Sequence, residues 1–293
     1  MELAPIVLFV YNRPWHTQQT LEALSKNEWA NQSSLFIMAD GPKENATDED
    51  LQKIKEVRDL IRQKQWCKEV IIEEKERNYG LADSILNGVT KIVNQYGKII
   101  VLEDDLITST FFLKYLNTCL KTFEKRCNIY SVSANMFPIK TNLSETVLLP
   151  YIATWGWATW KDKWNTCDWK TPDKDHIKQS IYLNHRFNLA DYSYSSQFDI
   201  DDRNVWGIKW YYNLFKRNGL SVYPSKTLVR NIGLDGTGVN CSESKDDREL
   251  ASEIDIKFND SINLEFYSIL LRYFEKAEKN DRNIFKKIRK LFK

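Results

Sequence analysis

Short apolar runs alternate with helix-like periods along the first half of the chain. The strand candidates have the length and the β-branched content of strands buried on both faces, and they comprise Ile6–Tyr11, Leu35–Met38, Val70–Glu73, Ile99–Leu102 and Tyr130–Ser133. Alternation of strand and helix is typical of a layered α/β protein. The pattern therefore predicts an α/β fold with a mostly parallel central sheet flanked by helices.

Two amphipathic helices are predicted around these strands. Thr47 precedes three acids and a series of apolar residues at helical spacing, which indicates a helix capped by Thr47. After the fourth strand, Thr108 or Ser109 is expected to cap a helix with a strongly aromatic face. The apolar residues of both helices are assigned to the core.

Three consecutive acids, Glu103, Asp104 and Asp105, follow the fourth strand directly. Adjacent carboxylates repel one another, and their partial removal from water is costly unless a cation compensates. A hard divalent ion such as Mn²⁺ or Mg²⁺, held by carboxylate oxygens and bridging to phosphate, would account for the cluster. The alternative is a solvated acidic turn.

Polar residues also follow the first two strands. Arg13 comes after the first strand and Asp40 after the second, and the carboxyl ends of parallel strands meet at one edge, where ligands bind. A metal and Arg13 can neutralise a pyrophosphate, while Asp40 can accept a base N–H. The three strand ends together predict a site for a nucleoside diphosphate.

The second half of the chain is irregular and aromatic. Five tryptophans lie between Trp155 and Trp169, and such rings stack on the apolar faces of sugars or on bases. Packing in the core is the alternative, and it is expected for at least three of the five.

A short strand is predicted within Asn218–Pro224, followed by a glycine-punctuated loop at Asn231–Cys241. This loop is interpreted either as a segment that orders around a ligand or as a surface turn.

Composition limits the classes of function. The chain has 293 residues, 42% of them hydrophobic and 28% charged, which suffices for one large or two small domains. Residues 281–293 carry six basic residues and one acid, so the rest has a small net negative charge, which argues against nucleic-acid binding. The five cysteines form no CxxC pair, and the three histidines, His16, His176 and His185, lack metal-ligand spacing and are interpreted as structural or surface residues.

No secretion signal or membrane-spanning segment is expected, because the apolar run Ala4–Val10 is short and contains Pro5. We therefore expect a cytoplasmic protein.

The end of the chain, around Ile284–Lys293, has the composition of an interfacial helix on anionic lipid, with a packed helix or a disordered tail as alternatives. The expected division is 1–150 for a nucleotide-binding half, 151–262 for an acceptor-side half of the same domain, and 263–293 for a basic helical tail.

Five segments form a set: APIVLFVYNRP, ADGP, RNYGLADSILNGV, VLEDDL before a Phe-rich helix, and TWGWATWKDKW. This set resembles the GT-A-fold glycosyltransferases, particularly bacterial sugar transferases similar to animal N-acetylglucosaminyltransferase I. The resemblance spans roughly residues 4–241, and VLEDDL with the downstream WGWATW is its most specific part. It implies a GT-A fold, Rossmann-like in its nucleotide-binding half and irregular on the acceptor side.

The resemblance also implies roles for matching residues. Arg13 matches the Arg that contacts the diphosphate or nucleotide, and Asp40 the Asp that contacts the base. Asp105 matches the Asp that coordinates the metal, Asp104 the one that contacts ribose or the donor sugar, and Glu103 supports them or contacts the sugar.

Two further segments match the donor side of the family. Asn78 and Gly80, in RNYG, correspond to a loop over the donor, and Trp157 to a residue that lines the donor sugar.

The match is weakest at the catalytic base. Similar sequences supply the base from a Trp-Asp pair that opens a helix, but here Gly207 follows Trp206. Asp202 and Asp235 are the candidates instead, with Asp201 behind them. Asn240 stands where similar sequences often have His.

These observations favour a metal-dependent, inverting glycosyltransferase that uses a nucleoside-diphosphate sugar, with a UDP-sugar favoured, in surface polysaccharide synthesis. The acceptor would be a glycan or a lipid-linked glycan, reached by peripheral contact with the membrane. The alternatives are a sugar nucleotidyltransferase, although YNRPWH lacks the glycines of its phosphate loop, and a non-catalytic glycan-binding module.

Overall fold

The computed structural model describes residues 2–200, 205–236 and 246–275. Its strands are Ile6–Val10 (β1), Ser34–Ala39 (β2), Glu69–Glu74 (β3), Lys98–Glu103 (β4), Leu106–Thr108 (β5), Ile129–Ser133 (β6), Val147–Leu149 (β7), Trp157–Trp160 (β8), Leu220–Tyr223 (β9) and Val229–Asn231 (β10). Its α-helices are Pro14–Ser25 (α1), Asp48–Leu60 (α2), Leu81–Tyr96 (α3), Phe112–Phe123 (α4), Lys161–Asn165 (α5), Lys174–Gln179 (α6), Ile181–Phe187 (α7) and Gly207–Lys216 (α8), and short 3-10 helices occur at Ala30–Gln32 and Tyr194–Asp199. Residues 264–275 are helical as well.

An eight-stranded sheet with the order β3-β2-β1-β4-β8-β6-β9-β7 forms the centre of the fold. The first four strands in this order are parallel. The strand β8 is antiparallel to both of its neighbours, β9 is parallel to β6, and β7 is antiparallel to β9. A separate antiparallel pair is formed by β5 and β10. The predicted mixed α/β fold, with a mostly parallel central sheet flanked by helices, is confirmed.

Both faces of the sheet are covered. Along β1, Ile6, Leu8 and Val10 pack with α1, α2 and α4 in one core cluster, while Val7 and Phe9 pack with α3 in the other. All five residues are buried. Because side chains alternate between the two faces, burial on both sides explains why the strand reads as a continuous apolar run.

The predicted cap of α2 is confirmed. The Thr47 hydroxyl accepts the backbone N–H of Asp50 at 3.2 Å, and the Asp50 carboxylate accepts the Thr47 N–H at 3.2 Å. The two bonds form a reciprocal capping box beside an acidic first turn.

The predicted start of α4 is wrong. The helix begins at Phe112 without a side-chain cap, whereas Thr108 ends β5, which pairs with β10. The Thr108 hydroxyl accepts Asn27 Nδ2 at 2.9 Å, and the Ser109 N–H donates to the carbonyl of Leu228. Pairing with a strand more than 100 residues away thus displaces the helix start.

The second half of the chain completes the same sheet. The strands β8 and β9 lie inside it, and β9 confirms the strand predicted within Asn218–Pro224. Within residues 264–275, Phe266, Leu270 and Phe274 are buried in the second core cluster. The tail residues 276–293 lie outside the described residues. In the part of the chain that the structure describes, every helix is too short or too polar to cross a bilayer.

Candidate active site

The carboxyl ends of β1, β2 and β4 meet at one edge of the sheet. In the parallel register, Val10 lies opposite Ala39, and Phe9 lies opposite Glu103. Arg13, Asp40 and the three acids therefore follow neighbouring strands at the same edge. This is the arrangement that the sequence predicts for these residues.

The acidic turn is fixed from two sides. The hydroxyl of Thr20, on α1, donates to the carbonyl of Asp104 at 2.8 Å and accepts the N–H of Leu106 at 3.1 Å. From the segment after β10, the Ile232 N–H donates to the carbonyl of Asp105 at 2.9 Å. These bonds hold the backbone between β4 and β5, so the carboxylates project from a defined turn.

Arg13 lies among the acids. Its Nη1 donates to Asp105 Oδ2 at 2.9 Å and lies 3.7 Å from Asp104 Oδ1. Its Nη2 lies 3.7 Å from Asp235 Oδ1. Among the described residues, this guanidinium thus faces three carboxylates from two separate segments of the chain, so that negative charge exceeds positive charge in this part of the site.

The titration behaviour of the acids reflects this excess. Burial, followed by repulsion from Asp105, raises the pKa of Glu103 and of Asp104, and Arg13 counters the rise only in part. Backbone N–H groups, including that of Tyr11, donate to the Asp104 carboxylate and act in the opposite direction. The site would be stabilised by a further cation.

The donor set fits a hard divalent ion in its chemistry. Asp104 and Asp105 offer carboxylate oxygens, the ligands that Mg²⁺ and Mn²⁺ prefer, and the buried negative charge calls for a cation. Among the described residues, however, no three or more His, Cys, Asp or Glu side chains converge with metal-ligand geometry. Asp105 Oδ2 instead accepts a hydrogen bond from Arg13 at 2.9 Å, so a metal bound to Asp105 would either share this carboxylate with Arg13 or displace it.

Asp40 orders the loop that carries Asn78 and Gly80. Its carboxylate accepts the N–H groups of Gly41 at 2.9 Å, Tyr79 at 3.0 Å and Gly80 at 3.1 Å, and the Asn78 amide at 3.0 Å. A carboxylate has about four acceptor positions, so these oxygens are committed to the protein. The contact of Asp40 with a base stays a prediction, and the sequence did not reveal how many protein amides converge on this carboxylate.

The close approach of two loops at Asp40 depends on a glycine. A Cβ atom added at Gly41 would lie 2.5 Å from the backbone nitrogen of Arg77. Asn78 donates its amide both to Asp40 and to the carbonyl of Gly41. The predicted loop residues Asn78 and Gly80 are thus brought together with Asp40, as parts of one hydrogen-bonded unit.

The segment after β10 closes onto the acid cluster. A Cβ atom added at Gly233 would lie 2.1 Å from Asp105 Oδ2 and 2.7 Å from Arg13 Nη2. The Gly233 N–H donates to the side chain of Asn231 at 2.7 Å, which holds this approach. Sequence reasoning recognised a glycine-rich loop but not that its first glycine packs against Asp105.

Asp235, a candidate base, lies at this site. Its Oδ2 is 3.0 Å from His16 Nε2, and 40% of its side chain is exposed. His16 is buried, and burial together with the neighbouring Arg13 lowers its pKa, against the opposing effect of Asp235. The interpretation of His16 as a structural or surface residue missed this contact; the available signal was its spacing of three from Arg13, which brings both side chains to one side at the start of α1.

Trp157 is fully buried, contrary to its expected place beside a donor sugar. Its ring packs against Trp164, Trp206 and Trp210 at centroid distances of 5.8, 5.3 and 6.1 Å. Because β8 lies inside the sheet, its side chains enter the core. Trp157, Trp160 and Trp164 are all buried, so the expectation that at least three of the five tryptophans serve packing is confirmed.

The remaining candidates for the base, Asp201 and Asp202, lie outside the described residues, as does Asn240. Gly207 begins α8, and a Cβ atom there would lie 3.1 Å from Thr154 Cγ2.

A cavity of about 930 Å³ lies apart from these acids, between residues 136–143, 225–227, 248–253 and 263–269. Arg248 lines this cavity and donates to Asn135 Oδ1 at 3.0 Å.

Known structures similar to this chain include glycosyltransferases at low identity. Mouse xyloside xylosyltransferase 1, in its apo form, is 12% identical over 72% of this chain and 80% of that chain, with a TM-score of 0.37. Residues 1–349 of S. aureus TarS are 10% identical over 78% of this chain and 60% of that chain, with a TM-score of 0.39. The same TarS fragment in complex with UDP-GlcNAc is 11% identical over 78% and 58%, with a TM-score of 0.38.

This chain therefore spans about 60% of the length of the TarS fragment. No family model matches the chain, and a comparison with curated proteins gives no match.

Proposed function

We propose that the protein is a metal-dependent, inverting glycosyltransferase that moves a sugar from a nucleoside-diphosphate donor to a glycan or lipid-linked glycan. A UDP-sugar is the favoured donor, and surface polysaccharide synthesis the favoured role. The observation that carries the proposal is the cluster of Asp104, Asp105, Arg13 and Asp235 at the carboxyl edge of a parallel sheet. Among the described residues, it combines three carboxylates with the guanidinium of Arg13, a set suited to binding a metal and a diphosphate together.

The residues of the donor side have distinct proposed roles. Asp105 would hold Mn²⁺ or Mg²⁺, with Asp104 beside it, and the bound ion would neutralise charge on the departing diphosphate. Arg13 would exchange its carboxylate partner for a phosphate oxygen, since a guanidinium binds either anion. Glu103 would support Asp104, and Asp40 would hold the loop of Asn78 and Gly80 at the rim of the site.

Asp235 is the base that the geometry favours. Its carboxylate lies within 3.7 Å of Arg13 and is partly exposed, so that an acceptor hydroxyl can approach it. In the proposed step, the acceptor oxygen forms a bond to the anomeric carbon and its proton passes to the Asp235 carboxylate. The bond from that carbon to the diphosphate oxygen breaks, and its electron pair leaves with the diphosphate.

The direct test measures release of UDP from UDP-GlcNAc, UDP-glucose and UDP-galactose with Mn²⁺ present and water as acceptor. The Asp105→Ala variant should lose this activity by at least about 100-fold, because the ion and its charge are lost together. Asp175→Ala, an exposed acid on α6, is the matched control and should match the wild type.

Full activity of the Asp105→Ala variant would contradict the metal assignment. A panel of GDP-, CMP- and dTDP-linked sugars tests the base specificity. Activity with none of these donors, together with no thermal shift by any nucleotide, would favour a glycan-binding module instead.

A further inference from the structure

His16 lies on α1, one turn after Arg13, and contacts a segment more than 200 residues away in sequence. Its Nε2 is 3.0 Å from Asp235 Oδ2, and its side chain is 9% exposed. The Trp15 ring packs against it edge-on at a centroid distance of 4.9 Å. The imidazole is therefore held in place on the helix, with its outer nitrogen directed at a carboxylate of the proposed active site.

Two side chains at the start of α1, those of Arg13 just before the helix and of His16 in its first turn, contact the Asp235 carboxylate. Arg13 approaches Oδ1 at 3.7 Å, and His16 bonds to Oδ2. Arg13 also donates to Asp105 at 2.9 Å, and it is the proposed contact of the diphosphate. Binding of a diphosphate to Arg13 would compete with its interaction with Asp235, whereas the hydrogen bond from His16 involves neither Asp105 nor Arg13.

The charge state of His16 suits this role. Burial and Arg13 lower its pKa, while Asp235 and Asp105 oppose the shift, so the imidazole is neutral at neutral pH. A neutral imidazole that bonds to a carboxylate through Nε2 carries its hydrogen on Nε2. Such a donor orients the carboxylate and leaves its negative charge in place.

Asp235 itself lies in a turn. The turn is flanked by Gly236, whose φ is +80°, and by Gly233, which packs against Asp105. A partly exposed carboxylate on such a turn gains orientation from a buried hydrogen-bond donor, and small errors in placement reduce rates strongly.

We propose that His16 is a positioning residue that orients the Asp235 carboxylate to accept the proton of the acceptor hydroxyl. The inference rests on the proposed function, because it assigns to His16 a task in that reaction. His16 does not itself receive the proton.

The kinetic test uses Mn²⁺-dependent release of UDP from UDP-GlcNAc. His16→Ala should lower kcat by about 10- to 100-fold with little change in KM, because donor binding does not use His16. His16→Gln places an amide N–H near the position of Nε2 and should recover most of the loss. In the Asp235→Asn background, His16→Ala should cause no further loss. His185→Ala, at an exposed histidine on α7, is the matched control.

An unchanged kcat in His16→Ala would overturn the proposal, as would equal losses in the Ala and Gln variants or a parallel change of kcat and KM. A second measurement, of the position of the imidazole hydrogen, does not depend on activity. Side-chain ¹H–¹⁵N NMR should show the His16 hydrogen on Nε2, and Asp235→Ala should abolish this preference for Nε2 over Nδ1. A hydrogen on Nδ1, or no effect of Asp235→Ala, would overturn the proposal. Absence of UDP release by the wild type would contradict the proposed function, and the NMR result would still decide the contact.

Discussion

Gly233 occupies a position where no side chain fits. A methyl group there would meet both Asp105 and Arg13, so Gly233→Ala should displace their ion pair or push the segment after β10 away. We expect UDP affinity in the presence of Mn²⁺, measured by calorimetry, to fall about tenfold, with a loss of stability of about 1–3 kcal/mol.

The control for Gly233→Ala is Gly97→Ala. Gly97 has a φ of +78° and open space around its Cβ position, so the change strains the backbone at a distance from the acids and costs about 1 kcal/mol. It should leave UDP binding intact. Equal UDP binding by the Gly233→Ala variant would show that the close packing against Asp105 has no part in donor binding.

At the scale of the elements, Asp40 joins the end of β2 to the start of α3. Its carboxylate accepts the N–H groups of Tyr79 and Gly80, just before the first turn of that helix, where negative charge is favourable. Asp40→Asn keeps the shape but loses acceptor capacity. We expect the free energy of unfolding to fall by about 1–3 kcal/mol and the hydrogen exchange of the backbone amides of residues 78–80 to accelerate.

The control is Asp83→Asn, at an exposed acid in the first turn of α3, which should leave that exchange unchanged. Unaltered exchange in Asp40→Asn would mean that other contacts order the loop.

Most of the strands and helices predicted from the sequence depend on residues that are close together along the chain. The run Ile99–Leu102 is buried on both faces in β4, and Thr47 caps α2 because its partner Asp50 lies three residues away. Contacts between distant residues were not predictable in this way. The pairing of β5 with β10 moved the start of α4, and the bond between His16 and Asp235 links residues 219 positions apart. The strand-end acids could be found because they follow the strands directly, whereas the partners of Asp40 and Asp235 depend on how loops pack.

At the scale of the whole molecule, the charge is distributed unevenly along the sequence, and we propose that the basic end of the chain brings the protein to an anionic membrane surface. Six basic residues lie within 281–293, outside the described residues, together with apolar residues such as Ile284 and Phe285. Each basic residue near an anionic surface contributes about 1 kcal/mol.

Truncation after residue 275 should therefore weaken sedimentation with phosphatidylglycerol vesicles by at least about tenfold. The same variant should release UDP from a soluble UDP-sugar at the wild-type rate, because the acids and Arg13 precede the truncation. Binding of the full chain should weaken as salt is raised and be lost on phosphatidylcholine vesicles. Equal sedimentation of both chains would place any membrane contact in the body of the protein and would leave the tail without a role at the lipid surface.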